Sequence, residues 1–241
     1  MTIISLPHAK QWLKTSKHPL AQNGFRMLRF IRFFELPVPG ILFKTIYILH
    51  KFITGLLATI TRIFYWTPLF KSRVLHAGKN LYLYGGMPYL SGPLQITYGN
   101  NCRISGQTTF SARTSSQSAP RLILGNNIDI GWMSTIAIGS KVTIGNNVRI
   151  AGKTFLAGYP GHPIDAVDRA AGLSDIDEQV GDIIIEDDVW IATGVTVLPG
   201  VRIGSRSIIA TGSVVTRDIP ADVLAGGVPA KVIKSLILPE C

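Results

Sequence analysis

The sequence predicts a mainly β protein built around a three-sided parallel β-helix, and the main reason is a six-residue period between Ile183 and Pro220. An apolar, branched residue recurs at every sixth position of this stretch: Ile185, Ile191, Val197, Ile203, Ile209 and Val215. Six residues fit neither the turn of an α-helix nor the alternation of a strand. They fit a coil with short flat sides, in which the apolar residue points inward and a small neighbour lets the chain turn the corner.

Three earlier copies of the repeat extend the coils toward the N-terminus: Tyr98–Asn101, Leu124–Asn127 and Ile144–Asn147. Equivalent residues stand at 99, 125, 145, 186 and 204, so the steps are 26, 20, 41 and 18 residues. A coil of about 18 residues leaves an insertion of about 8 residues near Ser111–Pro120 and one of about 23 between Leu156 and Ile183. The first is Ser-rich and predicts a surface loop. The second is a long excursion from a rigid scaffold, which is a natural place for function.

Residues 1–76 are predicted to form a separate helical appendage that is both basic and apolar. They contain eleven Lys and Arg residues against one acid, Glu35, whereas the remaining residues are neutral overall. Within them, the stretch from Ile41 to Trp66 is mostly apolar, with a thin stripe of other residues at seven-residue spacing. A basic amphipathic segment lying in the interface of an anionic membrane fits this composition best.

Two other arrangements of the appendage stay open. Its helices can pack against the β-helix or between subunits, or one of them can span a membrane. A spanning helix needs about 20 apolar residues, and the longest clean run, Phe52–Thr61, is ten residues between Lys51 and Arg62. No nucleic-acid-binding motif accompanies the basic residues, so nucleic acid is not an expected partner.

Cysteine usage and the first residues favour a cytoplasmic setting. The two cysteines, Cys102 and Cys241, lie far apart and form no disulfide framework. The first residues lack the basic-then-apolar order of a cleavable signal peptide. Together with the basic appendage, this predicts a location on the inner face of the cytoplasmic membrane.

The repeats, the loop around His162 and the run from Val214 to Lys234 resemble the hexapeptide-repeat acetyltransferases. The similarity extends over about residues 95–236 and points to the sugar and surface-polysaccharide O-acetyltransferases related to maltose and galactoside acetyltransferase. It implies a left-handed parallel β-helix and a homotrimer in which acetyl-CoA and the acceptor meet between neighbouring subunits. We expect the β-helix over residues 77–220, its catalytic loop over 157–182 and a C-terminal cap helix within 221–241.

His162 is the candidate catalytic residue because it is the only histidine after His76. It lies in the segment YPGHPID, residues 159–165, which is similar to the family's Gly-His-Pro motif. Acyl transfer to a hydroxyl requires removal of the hydroxyl proton during attack, and a neutral imidazole with a pKa near about 6.5 suits that task. The flanking proline and glycine residues favour an irregular backbone that holds the ring in place.

The resemblance also implies a set of acetyl-CoA contacts: Trp190, Thr193, Thr211, Thr216, Arg217, Lys231 and Lys234. The backbone amide of Thr193 is a candidate donor to the thioester oxygen. Lys231 and Lys234 are expected to meet the nucleotide phosphates, and residues three apart share a face if they are helical. Where relatives carry an acceptor-side Asn, this chain has Gly131 followed by Trp132. Trp132 is therefore a candidate sugar-stacking residue, unless it packs under the loop.

The prediction is an acetyl-CoA-dependent O-acetyltransferase of a bacterial surface glycan, such as O-antigen, capsule or exopolysaccharide, or of its lipid-linked precursor. Transfer would be direct, in a ternary complex, with His162 as the general base. A zinc enzyme on this fold would need three histidines around one metal, so no metal is expected. Two alternatives remain: an N-acetyltransferase acting on an amino nucleotide sugar, and a non-catalytic β-helix scaffold.

Overall fold

The computed structural model describes residues 6–237, with side chains from residue 10 onward. Two compact units divide the chain, and the boundary lies between Ile53 and Thr54. The second unit therefore begins well before residue 77, the boundary expected from sequence. The reason is that Phe70 is fully buried in the β-helix core, where its ring lies 6.1 Å from that of Tyr98. Residues 54–76 thus belong to the same unit as the coils.

The N-terminal part is helical, as predicted. Helices α1, Leu6–Thr15, and α2, Pro19–Phe33, contain no acidic residue. Helix α3, Gly40–Thr61, continues through a π-helical turn at Arg62–Trp66 into α4, Thr67–Lys71.

The continuous helical stretch Gly40–Lys71 is 32 residues long and has a mean hydropathy of 1.5 in its most apolar window. None of that window is buried. By length and composition, this helical stretch is sufficient to cross a membrane. The longest uninterrupted apolar run in the sequence, ten residues, did not indicate this.

Three parallel sheets form the sides of a β-helix, and each of six coils gives one strand to each sheet. The first sheet contains β1 Val74–Ala77, β4 Gln95–Tyr98, β7 Arg121–Leu124, β10 Lys141–Ile144, β13 Ile183–Ile185 and β16 Arg202–Ile203. The second contains β2 Tyr82–Tyr84, β5 Arg103–Ser105, β8 Asp129–Ile130, β11 Arg149–Ile150, β14 Trp190–Ile191 and β17 Ile208–Ile209. The third contains β3 Tyr89–Ser91, β6 Thr109–Ala112, β9 Thr135–Ile138, β12 Phe155–Ala157, β15 Thr196–Val197 and β18 Val214–Val215.

The register of the first sheet reproduces the spacing of the repeats. Four pairs carry this register: Gln95 with Arg121, Arg121 with Lys141, Val142 with Ile183, and Ile184 with Arg202. These pairs are 26, 20, 41 and 18 residues apart, as the sequence predicts. The predicted β-helix is confirmed. One further coil, β1 to β3, precedes the first recognisable repeat.

The interior and the corners explain the repeat residue by residue. The six apolar positions of the repeat are all at most 1% exposed, so they form the core. At one corner, Asn127 and Asn147 adopt left-handed backbone with φ of 54° and 58°. Asn tolerates that region better than other non-glycine residues. The side chain of Asn127 donates to that of Asn147, which donates to Asp188 in the next coil, each at 2.9 Å.

The C-terminal segment forms a β-hairpin, so the expected cap helix is wrong. Strand β19, Val223–Gly227, pairs in parallel with β17, and β20, Ala230–Ser235, returns antiparallel to it. Gly227, at φ +106°, and Pro229 favour a turn over a helix. Strand β17, at the edge of the second sheet, also supplies the backbone groups with which β19 forms hydrogen bonds. The last residues, 238–241, lie outside the described part of the chain.

Candidate active site

His162 lies on the longest excursion from the coils, between β12 and β13. The excursion contains a short helix, α5 Ala166–Ala170, and a 3-10 turn at Asp177–Gln179. The side chain of His162 is exposed, whereas that of the following residue, Pro163, is buried. Asp165 caps α5 by accepting from the amides of Val167 and Asp168. The excursion begins after β12, which ends at Ala157, and ends before β13, which starts at Ile183, so its bounds agree with the loop predicted over residues 157–182.

A polar network ties this loop to the end of β6. Asp175, which is buried, accepts hydrogen bonds from the amide of Gly161 at 3.2 Å and from Nε of Arg113 at 2.8 Å. The hydroxyls of Tyr159 and Ser111 share a hydrogen bond of 2.8 Å. Tyr159 and Gly161, which lie just before His162, are therefore fixed to the end of β6, a strand two coils away.

The ion pair at the centre of the network is almost completely buried. The side chains of Arg113 and Asp175 are 6% and 3% exposed, and Asp177 accepts a further bond from Nη1 of Arg113 at 2.5 Å. Burial alone would lower the pKa of Arg113, but hydrogen bonds and charge from Asp177 and Asp175 outweigh it and raise that pKa. The guanidinium is thus held charged inside the loop.

Sequence reasoning missed both members of this pair. Arg113 stands in the Ser-rich insertion, which predicted only a surface loop, and Asp175 is one of several acids in the excursion. The only usable signal was that both insertions follow a strand of the same sheet, β6 and β12. Adjacent strands of a parallel sheet end at the same edge, so the loops after them can meet.

A groove of about 300 Å³ brings three of the predicted residues together. Trp132, Trp190 and Thr193 line it together with charged side chains from two coils, Asp129 and Arg149. Trp132 is 46% exposed and Trp190 is 50% exposed, so part of each side chain is accessible.

Two roles are expected for Trp132, stacking on a sugar ring or packing under the His162 loop. Its ring lies against Gly152, where an added Cβ would come within 2.9 Å, and Nζ of Lys153 lies 5.4 Å from the ring centroid. Both contacts are on the next coil. Among the described residues of a single chain, His162 does not line this groove. Its neighbour Gly161 lines a second cavity, of about 280 Å³, with Arg113 and Asp175.

The remaining predicted acetyl-CoA contacts lie beyond the groove toward the C-terminus. Thr211 precedes Gly212, whose amide donates to the carbonyl of Thr193 at 3.0 Å. Thr216 and Arg217 are exposed in the turn after β18. Lys231 and Lys234 are exposed on β20, so the helical face that we expected them to share does not exist.

No group of three or more His, Cys, Asp or Glu side chains is placed to hold a metal ion within the described residues. The predicted site residues themselves supply an imidazole, aromatic rings, hydroxyls and lysine or arginine cations.

Residues 182–217 match the family model described as bacterial transferase hexapeptide, six repeats. This stretch contains strands β13 to β18, the last two coils of the β-helix. One relative is a Schizosaccharomyces pombe protein that is provisionally named an acetyltransferase. It is 43% identical over 149 residues, which cover 62% of this chain and 60% of that protein. Galactoside O-acetyltransferase of Lactococcus lactis is 52% identical over 54 residues, 22% of this chain and 26% of that enzyme. The chain thus spans less than two thirds of the length of these hexapeptide-repeat relatives.

Among solved structures, the fold is similar to an N-acyltransferase of Bacillus cereus determined with coenzyme A and dTDP-4-amino-4,6-dideoxyglucose. The TM-score is 0.56 at 20% identity, and the match covers 70% of this chain and 88% of that one. At this identity the likeness concerns the β-helix fold alone.

Proposed function

We propose that the protein is an acetyl-CoA-dependent O-acetyltransferase acting on a sugar hydroxyl. The observation that carries the proposal is the placement of His162, the only histidine after His76, on a tethered loop of a hexapeptide-repeat β-helix. The names of the relatives agree with acetyl transfer, and a galactoside O-acetyltransferase is among them. As the finer substrate, we propose a bacterial surface glycan or its lipid-linked precursor.

In the proposed reaction, the imidazole of His162 accepts the proton of the acceptor hydroxyl while its oxygen attacks the thioester carbonyl. The backbone amide of Thr193 donates to the carbonyl oxygen as negative charge develops there. The carbon–sulfur bond then breaks, and the thiolate of coenzyme A takes the proton from the imidazolium. Atoms and charges balance, and no covalent enzyme intermediate forms.

Donor binding is assigned to the surface that runs from Trp190 and Thr193 toward the C-terminal hairpin. Trp190 and Thr211 would contact the pantetheine arm, and Thr216 and Arg217 would follow it. Lys231 and Lys234 would meet the phosphates as exposed cations on a strand. An exposed lysine is a flexible point charge and needs no fixed helical face to bind a phosphate.

The first test is His162→Ala, with His76→Ala as the matched control because His76 is also exposed. The assay follows free thiol released from acetyl-CoA with three acceptor classes: free sugars, nucleotide sugars and polyprenyl diphosphate-linked sugars. His162→Ala should lower turnover by about 10²–10⁴-fold, and His76→Ala should leave it unchanged. Full turnover in His162→Ala would refute the proposal.

The acetylated product separates O-acetylation from the N-acetyl alternative. An ester is removed by mild alkali, whereas an amide survives the same treatment. Alkali-labile acetate supports the proposal, and stable acetate on an amino sugar would replace it. Acetyl-CoA binding measured by calorimetry tests the scaffold alternative, because a non-catalytic β-helix has no need to bind the donor.

We also propose a homotrimer in which the loop of one subunit completes the groove of its neighbour. The support is that His162 and the groove with Trp190 are lined separately within one chain. Mixing inactive His162→Ala with inactive Trp190→Ala subunits should restore part of the activity, since some interfaces then pair two intact halves. Analytical ultracentrifugation gives the subunit number. A monomeric, active enzyme would overturn this assembly.

For the N-terminal helices we propose peripheral contact with an anionic membrane on the cytoplasmic side. Helices α1 and α2 enclose a groove of about 290 Å³, lined by four cations and four apolar side chains: Lys10, Lys14, Arg29, Arg32, Leu13, Phe25, Leu28 and Phe33. Cations near an anionic surface contribute about 1 kcal/mol each. Such a groove suits a lipid phosphate and the start of its acyl chain.

A flotation assay with phosphatidylglycerol vesicles tests this contact on the full chain. Replacing the four cations by Gln should abolish flotation, and wild type should not float with phosphatidylcholine alone. Equal flotation of the variant would refute the electrostatic contact. Resistance of the wild type to alkaline extraction would instead support a spanning role for the helical stretch from Gly40 to Lys71.

A further inference from the structure

The buried ion pair between Arg113 and Asp175 is not used by any step proposed above. We propose that these two residues are positioning residues for His162, and this inference rests on the proposed O-acetyltransferase function. They act through the backbone of the loop rather than by touching the acceptor or acetyl-CoA.

The bonding pattern of Asp175 carries the argument. One carboxylate oxygen, Oδ2, accepts the amide of Gly161, the residue directly before His162, at 3.2 Å. The other oxygen, Oδ1, accepts Nε of Arg113 at 2.8 Å and the hydroxyl of Ser115 at 3.2 Å. One side chain therefore joins the backbone at His162 to the insertion that follows β6.

The side-chain hydrogen bonds of Arg113 all go to the same loop. Its Nη2 donates to the carbonyl of Asp175 at 2.7 Å, and its Nη1 donates to Asp177. Since Arg113 follows β6 directly, the rigid sheet edge sets its position. The guanidinium consequently fixes both the side chain and the backbone of Asp175, and through them the place where His162 begins.

Stability alone does not account for such a pair. Removing two charges from water is costly, and well-packed apolar replacements of buried ion pairs are often equally stable. A planar guanidinium with three directed bonds instead fixes geometry. Gly161, at φ +81°, is in a backbone region that residues with a side chain rarely adopt, so the turn before His162 is built on a glycine, and Asp175 binds the amide of that glycine.

The decisive variant is Asp175→Asn, which keeps the shape of the side chain and removes its charge. Its matched control is Glu178→Gln, which removes one exposed charge from the same loop. A displacement of about 1 Å at a catalytic group lowers turnover by about 10²-fold. We therefore expect Asp175→Asn to lower kcat by about 10- to 100-fold, while Glu178→Gln stays within about twofold of wild type.

Three readouts separate positioning from a merely structural role. The KM for acetyl-CoA should stay unchanged in Asp175→Asn, because the donor groove with Trp190 and Thr193 lies on other coils. The pH–rate profile should keep the titration of the general base, which His162→Ala abolishes. The double variant Arg113→Met with Asp175→Leu should retain the unfolding midpoint of the wild type and still show the reduced kcat.

The outcomes are distinguishable from failure of the proposed function. If His162→Ala retains full turnover, the function itself fails and the positioning role with it. If His162→Ala is inactive and Asp175→Asn has the kcat of wild type, only the positioning role is overturned. Equal losses of kcat and of coenzyme A affinity in both Asp175→Asn and the double variant would also overturn it, because the pair would then support the whole fold.

Discussion

Two adjacent isoleucines on β13 test whether the six-residue period marks the interior of the coils. Ile185 is 1% exposed and pairs with Ile144 and Ile203, which are themselves buried. Ile184 points to the opposite face, where its partners Thr143 and Arg202 are polar. Ile185→Ala removes three buried carbon atoms, worth about 2.4 kcal/mol at about 0.8 kcal/mol each. The remaining cavity brings the expected loss of unfolding free energy to about 3–4 kcal/mol.

Urea unfolding followed by circular dichroism, at one fixed protein concentration, measures both variants. Ile185→Val should cost about 1 kcal/mol, because it removes a single carbon atom. Ile184→Ala should cost less than about 1 kcal/mol, because its face is already partly in water. Equal losses for Ile184→Ala and Ile185→Ala would contradict the assignment of inward and outward faces. A loss at Ile185 below about 1 kcal/mol would contradict the packed core.

Three further predictions concern charge, backbone and donor binding. Hydrogen bonds from the Ser205 hydroxyl and amide, and then the Arg202 cation, lower the pKa of Glu186 from its ordinary 4.5. Its contribution is therefore present above pH 4.5 and lost as pH falls from 4.5 toward the lowered pKa of the folded state, so Glu186→Gln should flatten the pH dependence of stability below pH 4.5 in urea unfolding. Asn147→Ala should cost about 1–2 kcal/mol by the same measurement, since Ala is strained at φ +58°, and Asn147→Gly should recover part of the loss. Lys231→Ala with Lys234→Ala should raise the KM for acetyl-CoA, and added salt should reduce the difference between wild type and variant; an unchanged KM at low salt would remove both lysines from the phosphate contacts.

The coils could be predicted from sequence because their physics repeats. Each inward position of the repeat, from Ile185 to Val215, meets the same demand for a branched apolar side chain, so six copies of one signal reinforce each other. The first coil, β1 to β3, lies largely within the β-helix expected from residue 77, but it carries no Gly-Asn-Asn block that would mark its register, although Asn80 occupies the same left-handed corner conformation. Phe70 of α4 packs into the core through tertiary contacts, which leave no period in the sequence.

The C-terminal segment could not be predicted from spacing alone. Lys231 and Lys234 fit a helix by their separation, but an extended edge of the second sheet was available to pair with Val223–Gly227. Helical propensity is a weak preference that tertiary hydrogen bonding routinely overrides. The outcome depended on the unpaired strand β17, which only the assembled coils provide.

The site shows the same division between local and assembled information. The arithmetic of the repeats located the loop, and its single histidine identified His162, because both are properties of one stretch of chain. The hold on that loop comes from Arg113, about 60 positions from Asp175 in sequence, and neither residue is distinctive in its own segment. They meet because β6, β9 and β12 are successive strands of one sheet, which brings the two insertions to one edge. A rigid stack of coils thus converts distant, unremarkable residues into neighbours, and the precision of a catalytic loop on such a scaffold depends on contacts of this kind.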